Sequence, residues 1–183
     1  MLDEEHPVKQ LYGDHDDLVA QLGRLAVLAD RAEAGAGVDE LKAELQAAVE
    51  RLRDEVGLHN RLEEDGLFPI LRRHGVQPLI DTLLSEHREI RAGVADFEAG
   101  AGDWLGGAAS GQILWAEPAR RVRGKLSTHM QKENLMLFPK AMQTLTEADV
   151  ADLRSAFRRL RSDAEPQAQA AGHPDAPASA APR

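Results

Sequence analysis

The chain of 183 residues contains no cysteine. Disulfides, cysteine-bound zinc, iron–sulfur clusters and thiol catalysis are therefore excluded, so any metal must be held by histidine and carboxylate. Basic residues are outnumbered, 22 against 31 acidic, for a net charge of −9. That balance argues against a nucleic-acid partner or an anionic membrane surface. No apolar run approaches the ~18 residues a spanning helix needs. The acidic start, Met1 to Pro7, has no apolar stretch of the signal-peptide kind, so a cytoplasmic protein is expected. No stretch alternates in the manner of a β-strand. The length suits one domain with a real core.

What the chain does have is a phrase that it repeats. His59-Asn60-Arg61-Leu62-Glu63, continued to Leu67-Phe68-Pro69, recurs as His129-Met130-Gln131-Lys132-Glu133, continued to Leu137-Phe138-Pro139. Both read H-x-x-x-E-x-x-x-L-F-P. On a helix, positions i and i+4 share a face, so each phrase aims an imidazole and a carboxylate the same way. Such a pair is a chelating edge for a first-row metal. One pair would mean little, since 7 His and 16 Glu make about 0.6 of them by chance. Two copies with the same Leu-Phe-Pro ending are a stronger signal.

Apolar spacing of three and four predicts helices around the phrases. The first runs from about Pro7 to Glu33 on the stripe Leu11, His15, Leu18, Leu22, Leu25, Ala29, and Gly35-Ala36-Gly37 breaks it. The second opens near Asp39 and carries Leu41, Leu45, Val49, Leu52, Val56, His59, Glu63 and Leu67, to bend or end at Pro69. The third spans about Pro78 to Glu98 with Ile80, Leu84, His87, Ile90 or Arg91, Val94 and Phe97 inward. Gly100 to Gly111 reads as a connection. The fourth covers roughly Gln112 to Phe138, where Pro118 permits either a kink or a later start. Thr146 reads as the N-cap of a short fifth helix through Leu160. The expected fold is all-α, an antiparallel up-down-up-down four-helix bundle with that fifth helix appended, over residues 1–162. Residues 163–183, rich in Ala and Pro, read as a disordered tail.

The repeat extends beyond the phrase. His15 precedes His59 by 44 residues and His87 precedes His129 by 42. The chain thus reads as a duplicated helix pair, each half giving one His and then a His/Glu pair. His15, His59, Glu63, His87, His129 and Glu133 all fall on stripes that should be buried. Two unpaired buried carboxylates would cost several kcal/mol each, a cost that two metal ions remove. Each metal would take two histidines, with the glutamates bridging or shared.

A lone core histidine is more often structural, and the inference rests on the six taken together. Ferritin-like Glu-x-x-His and zinc-protease His-Glu-x-x-His spacings are absent. His74 is expected in an exposed turn, His6 lies off the stripe and His173 lies in the tail. Glu64 and Glu86 point about 100° away from their neighbours, toward an outer layer or solvent. Tyr12 is read first as core packing and second as a hydrogen-bond donor to an oxygen species at the metals. Phe68 and Phe138 are candidate walls of the pocket.

The set His15, His59-x-x-x-Glu63, His87 and His129-x-x-x-Glu133 resembles the hemerythrin-like, or HHE cation-binding, family over about Leu11 to Met142. The resemblance implies a four-helix bundle holding two non-haem iron ions, oxo- or hydroxo-bridged, with manganese or zinc ranked behind iron. It implies dioxygen, peroxide or nitric oxide as the small ligand. Oxygen-carrying members add a histidine four residues from the third-helix histidine, where this chain has Leu83 and Arg91. That departure argues against simple oxygen carriage and for redox reactivity. The alternatives to a protein that binds or responds to oxygen or peroxide are an enzyme decomposing peroxide or reducing nitric oxide, and a non-catalytic iron sensor or store.

Overall fold

The computed structural model describes residues 6–107 and 113–171. Their regular structure is helical throughout. Helix α1 spans Pro7–Glu33. Pro7 occupies its first turn, where the missing N–H has no intrahelical partner. The Nδ1 atom of His6 accepts the Val8 N–H at 3.2 Å, giving that histidine a capping role. Gly35, at φ 101°, takes the left-handed conformation that turns the chain. Helix α2 (Val38–Arg61) begins with Asp39 and Glu40 in its first turn, against the positive end of the helix dipole.

Pro69 does not end this helix. In a regular α-helix the proline would lose a bond to residue 65 and crowd its carbonyl. The chain instead widens into a π-helical turn, Leu62–Leu67, in which the Phe68 N–H bonds back to the Glu63 carbonyl, and α3 (Phe68–Arg73) continues from it. The second phrase behaves identically. After α5 (Ala116–Lys132) comes the π turn Glu133–Leu137, with the Phe138 N–H on the Glu133 carbonyl, and then α6 (Phe138–Thr144). Each repeated phrase is therefore a π-bulged helix, a feature common at functional sites.

Helix α4 (Gln77–Leu105) is longer than the spacing suggests, running through Gly100 and Gly102. Packing explains the difference. Trp104 meets Trp115 edge-on with ring centroids 6.0 Å apart, while a Cβ on Gly100 would lie 3.0 Å from the Leu114 carbonyl oxygen. Leu83 is fully buried in this helix, as Ile80, His87 and Phe97 are, whereas Leu84 is half-buried. Of the two readings of Pro118 the later start is correct, since α5 opens at Ala116 and places the proline in its first turn.

Helix α7 (Glu147–Ala171) is not short and extends past Asp163, where apolar periodicity stops. Ala and Gln are good helix formers by intrinsic propensity, so loss of apolar periodicity did not mean loss of helix. The rest of the expected tail, 172–183, lies outside the described residues.

Helix α1 packs on α2, α2 on α4, α4 on α5, and α5 on α1, while α7 lies across α1, α2 and the first π turn. Two apolar clusters fill the interior. One holds Val8, Leu11, Leu67, Ile80 and Leu137; the other holds Leu18, Val56, Ile90, Val122 and Leu126. Along α1 and α4, and along α2 and α5 taken together with the π turns that follow them, a polar layer separates the two.

Candidate metal centre

That layer is the six-residue set read from the repeats. His15 comes from α1, His59 from α2, His87 from α4, His129 from α5, and Glu63 and Glu133 from the two π turns. None is more than 3% exposed, and both glutamates are fully buried. The imidazoles pair off, Nε2 to Nε2, His15 with His59 at 3.1 Å and His87 with His129 at 2.9 Å. Glu133 spans the pairs. Its Oε2 lies 3.2 Å from His15 Nε2, and its Oε1 lies 2.9 Å from His129 Nε2. Glu63 Oε2 lies 3.2 Å from His87 Nε2 and 3.8 Å from His59 Nε2. Two donor groups result: Glu63, His87, His129 and Glu133 on one side, and His15, His59 and Glu133 on the other, either compact enough to hold a metal ion.

The donor set fits cations. Apart from the imidazole nitrogens, no hydrogen-bond donor meets the four buried oxygens of Glu63 and Glu133. Buried carboxylates in that state are strongly unfavourable unless positive charge lies among them. In the bare protein, protons answer the need. Burial pulls His59 down, yet Glu63, Asp14 and Glu133 push it up to about 10. His87 rises to about 9, the same contest won by Glu133 and Glu63, and His129 rises as well. Burial and the charge of Glu133 push Glu63 up. Burial alone would raise Glu133, but four imidazoles hold it well below the ordinary carboxylate range. Protons and metal ions compete for the same lone pairs.

An outer ring orients the imidazoles. Asn134 Oδ1 lies 2.8 Å from His15 Nδ1, Glu64 Oε1 lies 2.7 Å from His87 Nδ1, and Glu86 Oε2 lies 2.9 Å from His129 Nδ1. Asp14 faces His59 Nδ1 at 3.6 Å, beyond hydrogen-bond length. With Nδ1–H donated outward, Nε2 presents its lone pair inward, the posture of a metal-bound imidazole. The pattern is cyclic. Each partner is the sequence neighbour of a centre residue and serves the histidine of the next helix: 14 to 59, 64 to 87, 86 to 129, 134 to 15. The carboxylates are in turn held by cations: Asp14 by Arg161 at 2.9 Å, Glu64 by Arg91 at 2.7 Å, and Glu86 by Lys132.

Glu64 and Glu86 thus belong to the outer layer, as their angle on the helix suggests. Asp14, Asn134 and Arg161 escape a reading of single stripes, because each acts across to another helix. Phe68 stacks 5.7 Å from His87 and Phe138 lies 5.1 Å from His15, so both phenyl rings wall the centre. His74 is only partly exposed and lies 3.0 Å from Asp149. His173 lies outside the described residues. Between α4 and α5, a cavity of about 310 Å³ reaches the edge of His129 past Glu86, Glu89, Lys125 and Thr128.

A bundle of helices enclosing a layer of inward imidazoles and orphaned carboxylates defines a protein class with a centre suited to cations. The family model of the hemerythrin HHE cation binding domain matches residues 6–141, and the chain belongs to that family. No curated protein matches it. At the positions of the additional oxygen-carrier histidine, Leu83 is buried in the apolar cluster and Arg91 holds Glu64.

Proposed function

We propose that this is a cytoplasmic non-haem di-iron protein of the hemerythrin type that binds or responds to dioxygen or peroxide. One observation carries the reading: two buried carboxylates, with no hydrogen-bond donor but imidazole to meet them, stand between two imidazole pairs. His15, His59, Glu63, His87, His129 and Glu133 would hold the two ions. The supporting scaffold is an antiparallel up-down-up-down bundle in a single domain. Along α1 and α4 the apolar clusters follow the order Val8/Ile80, polar layer, Leu18/Ile90, and along α2 and α5 continued through their π turns the order reverses, Val56/Val122 before and Leu67/Leu137 after. Bound iron would supply reversible electron transfer and places for dioxygen, peroxide or nitric oxide. The chain's own part would be to fix His15, His87 and His129 through Nδ1, to present one oxygen of Glu133 to each imidazole pair, and to exclude water with Phe68 and Phe138. No helix among the described residues is long and apolar enough to cross a membrane.

Peroxide decomposition or nitric-oxide reduction is the second reading, favoured by the absence of a further histidine beside His87 and by the cavity at His129. Iron-replete protein should show visible absorption that dithionite bleaches and that oxygen or peroxide restores. Iron-loaded protein with no such absorption would overturn the proposal. Steady oxygen evolution from added peroxide would select the enzymatic reading over binding alone.

A further inference from the structure

The duplicated halves are not equal around the centre. The residue after the centre glutamate is Glu64 in the first phrase and Asn134 in the second. Glu64 gives His87 a carboxylate partner at 2.7 Å, whereas Asn134 gives His15 a neutral carboxamide at 2.8 Å. A carboxylate on Nδ1–H draws the proton outward and makes Nε2 the stronger donor; a carboxamide does so less. The partners also differ in what positions them. Arg91, four residues after His87, holds Glu64, while the matching position after His15 is Val19, which is 58% exposed.

Two further asymmetries have the same sense. His59 has Asp14 only at 3.6 Å, against 2.9 Å between His129 and Glu86. The compact donor group on the His87/His129 side includes both glutamates, Glu63 lying 3.2 Å from His87, whereas that on the His15/His59 side includes Glu133, with Glu63 farther off at 3.8 Å from His59. We infer that the two metal positions differ in affinity, the α4–α5 position filling first and the α1–α2 position being the exchangeable one, with Asn134 as the positioning residue that sets the difference. This rests on the di-metal reading above.

Calorimetric titration of metal-free protein with cobalt(II) tests it. Two steps are expected, separated by at least about tenfold in affinity. At one equivalent, paramagnetic broadening should reach the His87 and His129 NMR signals before those of His15 and His59. Asn134→Asp should tighten the weaker step by about tenfold, and Glu64→Gln should weaken the tighter one by a similar factor. Two equal steps, the reverse order of broadening, or variants that move both steps alike would overturn the inference while leaving the di-metal centre standing. Absence of any cobalt binding would overturn both.

Discussion

The Tyr12 hydroxyl donates to the backbone carbonyl of Asn134 at 3.3 Å, while its ring meets Phe138 edge-on at 4.9 Å. The tyrosine therefore braces α1 against the second π turn, and its one proton is directed at the main chain. Packing, the first of the two readings of Tyr12, is what the contacts support. Tyr12→Phe should cost about 1 kcal/mol of stability, the worth of one modest hydrogen bond. The visible spectrum and the reaction with peroxide should be unchanged. Altered peroxide kinetics in a fully loaded Tyr12→Phe protein would contradict this assignment.

Gly66 sits in the first π turn beneath α7. A Cβ there would come within 2.9 Å of the Phe157 ring and 3.4 Å of Leu153. Phe157 is buried and cannot swing out without leaving the core. Gly66→Ala should destabilise the protein by roughly 1–3 kcal/mol through overpacking. Limited proteolysis should show α7 released before the rest of the bundle. Unchanged thermal stability would mean that α7 is held more loosely than its packing implies.

Asp149 locks the start of α7. It accepts the Thr146 hydroxyl at 2.7 Å and the Thr146 N–H at 3.1 Å, and its own N–H returns to Thr146 Oγ1 at 3.2 Å. Arg73 adds a bond from α3 at 3.0 Å. These donors, those of Thr146 foremost, hold the carboxyl well below its ordinary value. A folded-state value below the unfolded one gives stability that is present above about pH 4 and lost as pH falls further. Asp149→Asn should lower the urea midpoint at neutral pH, and its difference from wild type should shrink below about pH 4. A difference constant from pH 7 to pH 3 would rule out this linkage.

Much of the centre was legible because its residues break a pattern. His15, His59, His87 and His129 occupy helical positions where leucine or valine would otherwise stand, and paired offsets mark them as a duplication. The outer ring was less legible. Asn134 serves His15 from a residue 119 positions away, and Asp14 is itself held by Arg161 of a helix outside the repeat. Helix ends were hardest where the main chain adapts. Pro69 reads as a stop, yet moving one hydrogen bond from i−4 to i−5 lets the helix pass it. Gly100 reads as a loop, yet the missing Cβ there admits the Leu114 carbonyl against a continuing helix.

The two glutamates are not equivalent. Glu133 presents one oxygen to each imidazole pair, whereas Glu63 approaches His87 and His59 through a single oxygen. Glu133→Gln should therefore cost more metal than Glu63→Gln, leaving well under half the wild-type content. It should also abolish the gain in thermal stability on loading, which for a ligand at 100 times its Kd is about 2.7 kcal/mol. Equal metal loss in the two variants would contradict the spanning role of Glu133.

Elemental analysis of iron-replete protein, purified without chelator, bears most directly on the buried charge at the centre. About two iron atoms per chain are expected, on the ground that one cation lies with each imidazole pair. A chain that is folded, loaded under the same conditions and still free of iron, manganese and zinc would contradict it.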